Sequence, residues 1–126
     1  MRNWILLGAA AGLLVSALPA SAHHGWGGQS SEVSTMTGTV VEDVSLSGPH
    51  ATMKIAVDGK VWSLTLAPPF RTSSAGLKPG TLHMGEMVTV QGNKSMTPGR
   101  LEMKTIKLTS GDKSYTVYPE RQAFLR

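Results

Sequence analysis

Four histidines and seven methionines carry most of the coordinating chemistry in this 126-residue chain, and no cysteine accompanies them. His23 and His24 are adjacent and follow Ala20-Ser21-Ala22, an A-x-A sequence of the kind at which leader peptides are cut. Cleavage after Ala22 makes His23 the first residue of the mature chain. A free α-amine has a pKa near ~8 and an imidazole near ~6.5, so both lose their protons at little cost near neutral pH. An N-terminal histidine therefore chelates through its amine and its own ring, and one more imidazole completes a T-shaped set of three nitrogens. Such nitrogen-rich tetragonal sites favour Cu(II) over the other divalent first-row ions. His24 and His50 are the candidates for the third nitrogen. His50 follows Gly48-Pro49, a stiff turn that would hold its ring in place. The expected metal ligands are thus His23, His24 and His50, with copper as the expected ion. The competing reading leaves His23 and His24 as exposed side chains of an unordered arm.

A second cluster, His83-Met84-x-x-Met87, sets an imidazole beside two thioethers, which are soft ligands suited to Cu(I). Met87 also opens an alternating apolar run, so core packing is its default expectation. The same default applies to Met53 and Trp62. The absence of cysteine excludes disulfides, thiolate metal sites, a cysteine nucleophile and a lipoprotein anchor. No Gly-x-Ser-x-Gly is present. The adjacent carboxylates Glu42 and Asp43 would point to opposite faces of a strand, a poor acid–base pair. No catalytic residue is expected, and the chain is not expected to be an enzyme.

The leader that frees His23 is legible in its own right. In residues 1–22, Arg2 supplies the positive end and Trp4 to Leu18 form an apolar stretch. That stretch is short for a membrane span. Pro19 ends it ahead of the cleavage motif. The expected address is the periplasm, with no stable membrane anchor after cleavage. The formal charge is +4 and the pI about 9.7. Removing Arg2 with the leader leaves +3. The remaining lysines and arginines are scattered and form no dense run interleaved with aromatics, so no nucleic-acid partner is expected. A metal ion and a periplasmic protein are the partners to look for.

The elements that must position these residues follow from hydrophobic period and turn signals. Residues 23–34 are Gly- and Ser-rich without apolar period and read as a flexible arm. A strand runs from Met36 to Leu46, with Gly38 as a bulge or bend. Ala51 to Val57 alternates, with Met53, Ile55 and Val57 on one face. Asp58-Gly59 is a two-residue hairpin signal. Lys60 to Leu66 then sets Trp62, Leu64 and Leu66 on one face. Phe70 to Leu77 reads as a short helix or irregular crossover. Further strands run over Met87–Gln91, Leu101–Leu108 and Tyr115–Tyr118, leaving 119–126 as a tail. Aromatics are 6% of the chain, so Val, Leu, Ile and Met must fill the core. Three strands, a crossover and two or three more strands predict an all-β domain over 35–118. The expected architecture is a small five- to six-stranded OB-like Greek-key barrel.

The series Ala22-His23-His24, Thr37-Gly38-Thr39-Val40, Pro49-His50-Ala51, Ala75-Gly76-Leu77 and Gly85-Glu86-Met87-Val88-Thr89-Val90-Gln91-Gly92 resembles a family of small exported bacterial proteins of unknown function. Its members begin the mature chain with His-His and carry an Asn-Pro-His turn before the second strand. Gly48 stands here in place of that Asn, Gly25 where a Ser is common, and His83-Met84 where Lys-Pro is typical. The resemblance implies the periplasm and a β-barrel, and no activity. A looser similarity is to periplasmic copper- and silver-binding chaperones of barrel type. His50, Met53 and Trp62 are the analogous residue types, although the Trp-x-x-Met-x-Met run of those proteins is missing.

Three functional readings follow. The first is a periplasmic barrel that binds copper. The second is a binding module without metal, recognising a peptide, glycan or partner protein on the barrel face around its second and third strands, where Trp26 and Trp62 would stack. The third is a structural accessory subunit.

Overall fold

In a computed structural model that describes residues 26–125, six strands form one sheet. They are β1 (Gln29–Ser45), β2 (Thr52–Val57), β3 (Lys60–Thr65), β4 (Met87–Ser95), β5 (Glu102–Ser110) and β6 (Lys113–Thr116). A short helix, α1 (Pro69–Ser74), lies between β3 and β4, and a 3-10 helix (Pro119–Phe124) follows β6. Neighbours run β3-β2-β1-β4-β5-β6, and a parallel β3–β5 pairing closes the first five strands into a ring. This is the expected small all-β barrel, with α1 as its crossover. Closure hides the strand edges that an open sheet would otherwise expose.

β1 serves two partners. Its first part pairs with β4, from Gln29↔Ser95 to Thr39↔Met87, and its last part pairs with β2, from Thr39↔Ala56 to Ser45↔Thr52. Gly38 sits at the change of partner. A Cβ there would lie against the Ala56 carbonyl oxygen and 2.8 Å from a Val57 methyl. Glycine is thus required by close strand approach. The Asp58-Gly59 hairpin is as expected: both residues have positive φ, 49° and 79°, the geometry of a type I′ turn.

Most boundaries agree within three residues, 119–124 form a 3-10 helix where a tail was expected, and two strand ends move further. β1 begins at Gln29, so residues 29–34 are strand where a flexible arm was expected. The ladder from Val33↔Asn93 onward, and the Asn93 side-chain amide donating to the Ser30 carbonyl oxygen at 2.8 Å, override the Gly/Ser-rich composition. β4 runs through Gly92 to Ser95 instead of stopping at Gln91. At that point the register between β4 and β5 slips: Gln91 pairs with Lys107 and Gly92 with Thr105, leaving Ile106 as the extra residue. Gly92 admits this bulge because a Cβ would lie against the Lys104 carbonyl oxygen and 2.8 Å from Thr105 Cα.

The core is aliphatic, as the scarcity of aromatics demanded. Val40, Met53, Ile55, Leu64, Leu66, Val88, Val90, Met103, Ile106 and Leu108 are buried in one cluster, with Leu77 closing it from the crossover. The bulge resets the alternation of β5, so that Leu108, Ile106 and Met103 all face the core. Lys104 is consequently turned away from Met103, onto the outer side of the barrel.

Candidate functional site

His23 and His24 lie outside the described residues. Of the expected ligands, His50 alone can be placed. It sits in the β1–β2 loop, partly covered, immediately before Ala51, whose N–H and carbonyl bond to Ala67 and Leu66. Those two backbone bonds anchor the loop to the end of β3. Burial, and then the nearby Lys104 ammonium, hold the His50 imidazole below its ordinary range. A lowered pKa favours the neutral ring, the form that offers a lone pair to a metal. The same lysine, however, repels a cation that approaches that ring. Among the described residues, no group of three or more His, Asp or Glu side chains is gathered in a metal-binding arrangement.

Lys104 belongs to a cluster that sequence reasoning missed. It is 4% exposed, and none of the described carboxylates lies within ion-pair distance. Its ammonium sits 4.9 Å from the Trp26 ring centre and 5.2 Å from that of Tyr118. Those two rings meet edge to face at 5.1 Å. The Arg121 guanidinium lies 4.0 Å from the Trp26 centre, and Arg71, bound to Glu120 at 2.5 and 3.1 Å, lies 5.1 Å from the Tyr118 centre. Burial, and then Arg121, lower the Lys104 pKa. Burial pushes the Tyr118 hydroxyl up to about 12, and that hydroxyl donates to the Leu66 carbonyl oxygen at 3.3 Å. Only the bulge and the 3-10 helix bring these residues together, and neither has a motif signature. The excess of basic residues was the one available signal.

Trp62 occupies a different place. It lies on the same side of β3 as buried Leu64 but near the end of the barrel, where it is only half-buried. The Lys94 ammonium stands 5.1 Å from its ring centre. The two side chains line a groove of about 450 Å3 between β1 and the β2–β3 hairpin, with Thr35, Val57, Asp58 and Lys60. Trp62 is thus neither a pure core residue nor a stacking group on the outer β2–β3 face.

The second expected cluster is also rearranged. Met87 is 66% exposed and Met84 62%, so Met87 is not the core residue its strand position suggested. It falls on the side of β4 opposite buried Val88. His83 and Glu86 bracket a turn through Met84 and Gly85 (φ 83°), closed by the Glu86 N–H donating to the His83 carbonyl. The Glu86 carboxylate accepts the His83 N–H at 2.9 Å and the Ser110 hydroxyl, which hold it below the usual carboxylate range.

Comparison of the sequence with models of known protein families and with curated proteins finds no match.

Proposed function

We propose that the chain is an exported periplasmic binding module that takes a peptide, glycan or partner-protein segment in the groove beside Trp62. One observation carries this reading. A half-buried indole, two lysines and an aspartate face a groove of about 450 Å3 at the end of the barrel. Binding sites commonly combine an apolar wall with a few polar groups that fix orientation. The indole offers a flat face, while Lys60, Lys94 and Asp58 offer hydrogen bonds. The groove lies beside the β2–β3 hairpin, next to the surface on which barrels of this type habitually bind ligands. The leader sequence and the resemblance to small exported proteins support the address.

The test is a screen of the exported protein against peptide and glycan libraries, followed by the NMR signal of the Trp62 indole N–H. Saturable shifts that are lost in Lys94→Met, which removes the ammonium over the ring but keeps the indole, support the reading. A screen in which every library leaves that signal unmoved sinks it.

A second reading has its own observation. Trp26 packs under Lys104, the lysine that also acts on His50. His23 is three residues before Trp26, within at most about 10 Å of chain. The amine and ring of His23, with His24 or His50, are then the copper ligands, and the cationic surroundings weaken the site. Metal analysis of exported protein tests this. A variant with one residue added ahead of His23 should lose Cu(II), and equal binding would remove the amine from the ligand set.

A further inference from the structure

We propose that the Lys104–Arg121 cluster is a binding site for a compact oxyanion such as a carboxylate, phosphate or sulfate group. This site is separate from the Trp62 groove and does not depend on it. The cluster carries an electrostatic deficit. A lysine side chain this well covered normally has an anionic partner, because the packing that covers its stem also strips water from the ammonium. Lys104 is 4% exposed and has no carboxylate partner among the described residues.

Its neighbours deepen the deficit. The Arg121 guanidinium shares the Trp26 ring with it, 4.0 Å from the ring centre, and Arg121 Nε is itself buried without an acceptor. Glu120, the carboxylate adjacent to Arg121 in sequence, is engaged by Arg71. The faces of Trp26 and Tyr118 offset part of the charge through cation–π attraction. Asn93, the cross-strand partner of Lys104, has a buried, unpaired amide oxygen. A neutral amide can accept a hydrogen bond but supplies no charge.

An oxyanion would complete this arrangement. It would accept from Lys104 Nζ and Arg121 Nε, with the Trp26–Tyr118 pair as a wall. The electrostatics that weaken a copper site at His50 favour an anion at the same end of the barrel.

The test uses the mature protein from His23 to Arg126 at constant ionic strength. Sulfate, phosphate and acetate are titrated separately against chloride while the Trp26 indole N–H is followed by NMR. Saturable binding by at least one anion is expected, and comparison of the three separates carboxylate from phosphate or sulfate preference. Lys104→Met keeps the length of the side chain and removes the charge. It should weaken binding about tenfold or more, the worth of one charge-assisted hydrogen bond. Arg121→Gln, in the terminal 3-10 helix, should weaken it severalfold and serves if Lys104→Met fails to fold. General salt effects act on both proteins alike. Non-saturable shifts, or equal responses in the wild type and the variants, would overturn the proposal and leave Lys104 as a structural cation held by two aromatic rings.

Discussion

At the scale of single residues, environment decides what each titrating group can do. Tyr118 is 5% exposed, and burial raises its pKa from 10.0 to about 12. The folded state therefore favours the neutral phenol. The corresponding stability is fully present below pH 10, where both states are protonated. It is lost as pH climbs toward 12, because the unfolded chain releases its proton first. Phenolate absorbance should show one tyrosine titrating near that upper value, and Tyr118→Phe should flatten the alkaline fall in stability. A wild-type curve identical to that of Tyr118→Phe over this range would contradict the assignment. His50 and Trp62 were legible in the sequence as residues of interest. Lys104 was not, because nothing in its local sequence distinguishes it from Lys54 or Lys60. Its burial depends on Trp26 and Tyr118, which are 78 and 14 positions away.

At the scale of elements, glycine positions carry the sharpest expectations. Gly92→Ala forces a Cβ against backbone atoms of β5, which cannot yield without disturbing the bulge. A loss of at least about 2 kcal/mol in denaturant unfolding is expected. Gly59→Ala meets no atom within 4 Å, so its cost is the left-handed backbone alone, about 1–2 kcal/mol. A Gly92→Ala penalty no larger than that of Gly59→Ala would mean that the bulge relaxes freely. The hairpin at Asp58-Gly59 was readable because two adjacent residues specify its geometry. The β4–β5 bulge was not. Gly92 resembles a strand terminator in isolation, and only the partner strand reveals it as a point of close approach. The start of β1 was hidden for a related reason: its order comes from β4, some sixty residues later.

At the scale of the whole molecule, barrel closure rests on the parallel seam between β3 and β5. Leu64 and Met103 are partners across it and both are fully buried. Leu64→Ala and Met103→Ala should each cost about 2–5 kcal/mol. Because they share one cavity, the double variant should depart from additivity by about 0.5–3 kcal/mol. Strict additivity in a double-mutant cycle would indicate that the seam does not act as a unit. The sequence by itself determined an all-β domain of five or six strands, the tight hairpin, the crossover and the aliphatic core, since each follows from local period and turn chemistry. Tertiary structure alone decided which surfaces have chemical character. It exposed Met87, brought Lys94 over Trp62, and enclosed Lys104 between two aromatic rings beside Arg121. These juxtapositions depend on strand register and bulges, and a one-residue shift in pairing moves a side chain to the other face of the sheet.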